Sequence, residues 1–107
     1  GNALMEYAYQ IARWHHERWD GKGYPDGLKG DEIPIAAQVV SVADVYDALT
    51  SVRVYKDAIP HKEAIQMILD GKCGTFNPLL LDCLLEVQDR IAETLARPAD
   101  VVAFPTI

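Results

Sequence analysis

Apolar residues recur at every third or fourth position in four separate segments of this 107-residue chain. The segments are Leu4 to about Arg18, Pro34 to about Ser51, His61 to about Gly71, and Pro78 to about Arg97. This spacing places the apolar side chains on one face of an α-helix, and no segment of useful length alternates as a strand does. The sequence therefore predicts an all-α fold, a helical bundle of about four helices.

A long glycine-rich loop separates the first two predicted helices. Residues 20–34 have no periodic hydrophobicity, and their glycines and proline favour sharp changes of direction. These residues are Gly21, Gly23, Pro25, Gly27 and Gly30. A structureless loop of this length in a compact domain is either functional or disordered. The Tyr24–Pro25 pair in its middle favours an ordered, functional loop.

The overall composition fits one globular domain, because half of the residues are hydrophobic and 24% are charged. A net charge of −6 argues against a general binder of nucleic acid, although it permits a small anionic ligand held by metal ions. No apolar run approaches the roughly 18 residues of a membrane span. Residues 1–3 have the character of a cloning remnant, so we take 4–107 as the domain.

The two cysteines, Cys73 and Cys83, lack the close spacing of a zinc site. A disulfide between them remains open, but two free thiols in a reducing compartment are favoured, which indicates a cytoplasmic protein.

Three residues could bind a metal ion. His15 and His16 are adjacent at the end of the first predicted helix, where their side chains would point about 100° apart. Asp44 lies in the apolar second helix, so we expect it to be buried and to need a metal, a cation or backbone donors. The alternatives are a core histidine beside an exposed one, and an aspartate satisfied by an arginine. Histidine and carboxylate ligands on two helices suit a metal site in a helical bundle.

Arg53 and Lys56 follow the second predicted helix and are three residues apart. They are either a solvated surface pair or a phosphate clamp, with the arginine as a fork and the lysine as a point charge. Tyr24 in the loop could stack on a base or hydrogen-bond to a phosphate. His61 opens the third helix after Pro60, and we expect it at the surface.

Three stretches of the sequence together resemble one known family. HHERWDGKGYPDGLKGDEIP at 15–34, VADVYDALTSVRVYK at 42–56 and GTFNP at 74–78 resemble the HD-GYP domain in content and order. The resemblance covers roughly residues 4–90 of this chain, but only the C-terminal half or so of the family domain. It implies a truncated HD-domain-like fold of the all-α class.

The resemblance also implies an activity in bacterial second-messenger signalling. The family consists of metal-dependent phosphodiesterases that hydrolyse cyclic di-GMP to pGpG and on to GMP, commonly with iron or manganese. His15, His16 and Asp44 match family metal ligands, and Tyr24, Arg53 and Lys56 match positions that contact the substrate. The residues that match the signature loop are Glu17, Asp20, Gly21, Gly23, Pro25 and Gly27.

One departure from the family bears on activity. The His-Asp pair for which the family is named lies upstream of the HHE motif, and this chain has no second candidate for it. We therefore expect an incomplete active site, with metal bound in the full-length parent and none required in this chain. The alternative is a non-catalytic helical module with relic motifs, which would form a homo-oligomer through an uncovered apolar face.

Overall fold

The computed structural model describes residues 2–52 and 57–95 of the chain. Within these ranges the fold has four α-helices, one short 3₁₀ turn at Gly30–Glu32 and no strand. The helices are α1 at Ala3–Trp14, α2 at Ile35–Thr50, α3 at His61–Leu69 and α4 at Pro78–Leu95. The predicted all-α class and the predicted number of helices are confirmed. The predicted end of the fourth helix, near Arg97, lies outside the described residues.

The start of α1 uses residues that the sequence analysis set aside. The Asn2 side-chain oxygen accepts hydrogen bonds from the backbone N–H groups of Leu4 at 2.8 Å and Met5 at 3.4 Å. This is the arrangement of a helix N-cap, and Ala3 is already helical. The N-cap of α1 therefore lies within residues 1–3, which the sequence had placed outside the domain.

The end of α1 was predicted too far along the chain. The helix ends at Trp14 instead of Arg18, and His15 is its C-cap, with its N–H bonded to the Ile11 carbonyl at 3.1 Å. In the turn that follows, Glu17 is buried and accepts backbone N–H groups of the loop. Gly21 lies within the loop that follows and has a φ of +84°.

The core lies between α2, α3 and α4. Its buried members are Val42, Ile65, Ile68, Phe76 and Leu84. Burial of each such side chain contributes about 1.5–3 kcal/mol, so this cluster holds the three helices together. Helix α1 packs against α2, yet none of its own residues is buried.

The caps of the later helices agree with the sequence. Pro34 and Pro60 directly precede α2 and α3, where a missing N–H costs nothing. The Asn77 side-chain oxygen accepts the Leu79 N–H at 2.9 Å, as the side chain of an N-cap residue does.

Two side chains differ from their predicted environments. Asp44 is exposed rather than buried, because it lies on the side of α2 away from the core. His61 is half-buried rather than at the surface, and its Nδ1 lies 2.7 Å from the Tyr46 hydroxyl. Cys73 and Cys83 are both free thiols. Among the described helices, none combines the length and apolar character that crossing a membrane requires.

Candidate functional site

The three predicted metal ligands line one pocket. His15 and His16 come from the turn after α1, and Asp44 comes from α2, which packs beside it. The other lining residues are Arg18, Ser41, Val45 and Ala48. The tertiary structure therefore brings together side chains that are almost thirty residues apart in the sequence.

The ring of His15 has a defined protonation pattern. Its Nδ1 lies 2.6 Å from the Ile11 carbonyl oxygen. Because a carbonyl oxygen only accepts, Nδ1 must carry the proton and donate it. In the neutral ring, Nε2 then keeps its lone pair. This is how many metal-binding histidines are oriented, with a backbone carbonyl behind the ligand.

His16 lies beyond the end of α1, and its ring packs against the ring of His15. The ring centroids of His15 and His16 are 4.0 Å apart, with planes at 42°. The prediction that both side chains project from a helix at about 100° is wrong, since α1 ends before them.

The described residues do not form a complete metal centre. Within 2–52 and 57–95, no group of three histidine, cysteine, aspartate or glutamate side chains is close enough to hold one ion. His15, His16 and Asp44 therefore share a pocket without converging on one point. The donor types suit a divalent transition metal, and these side chains could supply part of its ligand set but not a complete one.

The signature loop folds back onto the turn after α1 that carries His15 and His16, which we call the histidine turn. The Tyr24 N–H donates to the His16 carbonyl at 3.3 Å, and the Tyr24 ring stacks on the His16 ring with centroids 5.0 Å apart. The Tyr24 side chain is otherwise well exposed, at 62%. The predicted substrate-contacting residue is thus in direct contact with a predicted metal ligand.

Gly23 makes this close approach feasible. A Cβ atom at position 23 would lie 2.5 Å from the Arg18 nitrogen and 2.6 Å from the Glu17 Cα, and it would also overlap the His16 carbonyl oxygen. These are backbone atoms, which cannot move aside as a flexible side chain can. Only glycine fits where the loop crosses the turn.

The other signature residues shape the loop itself. The Asp20 side chain accepts the Lys22 N–H at 2.9 Å. Gly27, like Gly21, has a positive φ, of +68°, which an L side chain adopts only at a cost. The Tyr24–Pro25 peptide bond is cis. Glu17 is buried, and both of its side-chain oxygens accept loop N–H groups.

An ion pair ties the same loop to α1. The Arg13 guanidinium bonds to both Asp26 oxygens at 2.9 and 3.0 Å, and the Trp14 indole N–H donates to Asp26 at 2.7 Å. The hydrogen bonds from Arg13 and then Trp14 lower the pKa of the Asp26 carboxyl below its ordinary value. The pair is partly exposed, so its effect on stability is modest.

Sequence reasoning missed Arg18 as a pocket residue. Its guanidinium donates to the Ser41 hydroxyl at 3.0 Å and so links the histidine turn to α2. Because Arg18 is positively charged and lines the same pocket as Asp44, the pocket carries less net negative charge than its predicted metal ligands suggest. The only sequence signal was the position of Arg18 directly after the HHE triplet, and its orientation depends on where α1 ends.

Arg53 and Lys56, the predicted phosphate clamp, lie outside the described residues. They stay predictions.

Comparison with known proteins shows the family of this chain. Residues 3–78 match the HD domain family. Since this match spans more than half of the chain, the protein belongs to the HD domain family, and its helical fold agrees with that membership.

Several curated relatives are similar over most of this chain. A probable cyclic di-GMP phosphodiesterase of Vibrio cholerae is 46% identical over 98 residues, which cover 92% of this chain and 22% of the relative. A cyclic di-GMP phosphodiesterase of Thermotoga maritima is 41% identical over 99 residues, covering 91% of this chain and 26% of the relative. A 3'3'-cGAMP-specific phosphodiesterase of Vibrio cholerae is 44% identical over 86 residues, covering 80% and 16%. The chain thus spans about a quarter or less of these relatives.

Proposed function

We propose that this chain forms part of a cytoplasmic, metal-dependent phosphodiesterase that hydrolyses a cyclic dinucleotide. The observation that carries the proposal is the pocket shared by His15, His16 and Asp44, with Tyr24 stacked at its edge. The similarity to cyclic dinucleotide phosphodiesterases over most of this chain supports the same reaction class.

In the proposed enzyme, this chain supplies one wall of the active site. His15, His16 and Asp44 would hold part of a centre of iron or manganese, whose remaining ligands come from outside this chain. Divalent ions of this kind neutralise charge on phosphoryl oxygens. The proposal includes two further roles, with Tyr24 seating a base of the substrate and with Arg53 and Lys56 binding its phosphates.

The choice of dinucleotide has two candidates. Cyclic di-GMP and 3'3'-cGAMP both occur in the names of the similar proteins, at comparable identities. The two molecules differ in one purine, so a stacking tyrosine alone would accept either one. We propose cyclic di-GMP because most of the similar proteins carry that name.

The test uses the natural protein that contains this sequence, loaded with manganese or iron. We expect hydrolysis of cyclic di-GMP to pGpG, which chromatography of the products measures. Hydrolysis of 3'3'-cGAMP should be slower. Asp44→Asn should lower kcat at least about a hundredfold, since removal of a metal ligand is severe. Asp70→Asn, which changes an exposed aspartate at the end of α3, is the matched control and should leave the rate unchanged.

A second arm of the same experiment tests the incomplete site. The 107-residue chain alone should hydrolyse no cyclic di-GMP above background with added manganese, because its described residues form no three-ligand cluster. Hydrolysis at an ordinary enzymatic rate by this chain alone would disprove that part of the proposal. A full-length protein that binds metal but hydrolyses neither dinucleotide would disprove the function itself.

One observation favours a second candidate, a module that associates with another helical surface. Helix α1 has no buried residue, and four of its large side chains are more than half exposed. These are Leu4, Met5, Tyr7 and Tyr9. Sedimentation of the 107-residue chain at high concentration should show self-association if this face is an interface between copies. A clean monomer would remove this candidate.

A further inference from the structure

Glu17 is a buried carboxylate that the proposed function does not use. It is only 3% exposed and directly follows the histidine pair. One of its oxygens accepts the Asp26 N–H at 2.7 Å, and the other accepts the Leu28 N–H at 2.7 Å. A carboxylate has two oxygens that can accept, so it can satisfy two backbone N–H donors at once.

These two bonds fix the loop at a defined distance from the histidine turn. Tyr24 lies two residues before Asp26, and its own N–H is bonded to the His16 carbonyl. The loop is therefore held on both sides of the Tyr24–Pro25 pair. Glu17 restrains the Tyr24 ring in its stack on His16 without contacting the ring through a hydrogen bond.

The absence of a side chain at Gly23 completes this arrangement. The Gly23 backbone lies so close to the turn that a Cβ there would approach the Glu17 Cα to 2.6 Å. The loop and the turn therefore pack as one unit, and movement of Glu17 would move Tyr24 as well.

We propose that Glu17 is a positioning residue for substrate binding, which holds Tyr24 at the edge of the pocket in a geometry ready to receive the dinucleotide. This inference rests on the proposed function, because it assigns to Tyr24 a contact with substrate. Its consequence is that Glu17 lowers KM through preorganisation of the loop and leaves the chemical step nearly unchanged.

The first test compares Glu17→Gln with the natural protein that contains this sequence. Glutamine has one acceptor oxygen, so one of the two loop N–H groups loses its partner. We expect KM for cyclic di-GMP to rise about tenfold, while kcat changes by less than about threefold. Glu32→Gln is the matched control, because Glu32 is exposed and accepts one loop N–H, that of Lys29. It should leave KM unchanged.

A double-mutant cycle separates positioning from general stabilisation. If Glu17 acts through Tyr24, then Glu17→Gln should have little further effect on KM once Tyr24→Ala is present. Fully additive effects of the two changes would overturn the proposal, as would an equal fall in kcat with KM unchanged. Should Glu17→Gln fail to fold, Glu17→Asp keeps the charge but shortens the reach by one methylene, and the same rise in KM is expected.

A structural readout keeps this inference distinct from the proposed function. Hydrogen exchange at the Asp26 and Leu28 amides needs no activity, and Glu17→Gln should accelerate it at one amide or both, relative to Glu32→Gln. Unchanged exchange at both amides would overturn the role of Glu17 even in an active enzyme. Faster exchange in a protein that hydrolyses no cyclic dinucleotide would support the restraint of the loop by Glu17. The same result would contradict the proposed function and the expected effect on KM.

Discussion

The Tyr24 ring stacks nearly parallel on the His16 ring, with centroids 5.0 Å apart and planes at 18°. This contact joins the middle of the glycine-rich loop to a predicted metal ligand. A ring that packs on one face of an imidazole also limits the rotation of that imidazole. The residue proposed to contact substrate and a residue proposed to bind metal are thus mechanically connected.

The first prediction concerns this stack. Tyr24→Ala removes the aromatic ring from above His16, so the ring protons of His16 lose its ring-current shift. We expect those resonances to move toward their random-coil positions in NMR spectra of the 107-residue chain. Tyr24→Phe is the control, because it keeps the ring and the stack. Identical His16 shifts in both variants would contradict the contact.

The second prediction concerns Gly23, where the glycine-rich loop passes close to the backbone of the histidine turn. Gly23→Ala should destabilise the fold by about 3 kcal/mol, because its Cβ would meet backbone atoms at 2.5 and 2.6 Å. The free energy of unfolding in urea measures the effect.

Gly30→Ala is the control for that substitution. Gly30 has a φ of +58° but no heavy atom within 4 Å of the added Cβ, so only backbone strain of about 1–2 kcal/mol is expected. Equal losses at the two positions would mean that the loop does not cross the turn closely.

The third prediction is a pH dependence from the Arg13–Asp26 pair. The folded-state pKa of Asp26 lies below the ordinary value of 3.8, so the folded state binds this proton less readily than the unfolded state does. The pair therefore adds stability above pH 3.8, and this contribution is lost as the pH falls through the folded-state pKa. Asp26→Asn should be less stable than the natural chain at pH 6, and the difference should shrink toward pH 3.

Urea unfolding at several pH values measures this difference. Asp31→Asn, which changes an exposed carboxylate in the same loop, is the control. A stability gap between Asp26→Asn and the natural chain that stays constant from pH 6 to pH 3 would contradict the assigned cause of the pKa change. The gap should also narrow at high salt, because the pair is partly exposed.

The fourth prediction concerns the core between α2, α3 and α4. Ile68 is fully buried, so Ile68→Ala should lower the free energy of unfolding by about 2–5 kcal/mol. Leu79→Ala removes an aliphatic side chain that is 66% exposed, and it should change stability by less than about 0.5 kcal/mol. Comparable effects of the two substitutions would place the core elsewhere.

Most of the fold followed from local patterns. The bounds of α2, α3 and the start of α4 agree with their apolar periodicity and with the proline or asparagine that precedes each of them. The end of α1 could not be predicted in the same way. Trp14 and His15 continue the apolar pattern, whereas Glu17 in the turn after them contacts N–H groups at positions 26 and 28, which are distant in the sequence.

The candidate site was predictable as a set of residues and less so as a geometry. The adjacent histidines, an aspartate in an apolar helix and the motif resemblance together singled out His15, His16, Asp44 and Tyr24. The exposure of Asp44 was predicted wrongly, because an apolar helix has two sides and periodicity did not show which one faces the core. Arg18 was missed because its place in the pocket depends on the turn that follows α1.

Local properties of the chain were enough to predict the all-α class, the number of helices and the family, because periodicity and motif order involve residues that are close in the sequence. The three-dimensional packing was needed to show that the histidine turn and Asp44 line one pocket and that Tyr24 stacks on His16 beside it. The physical reason is that this arrangement depends on α1 packing against α2 and on Glu17 reaching across the loop, and such long-range contacts leave no periodic signal in the sequence.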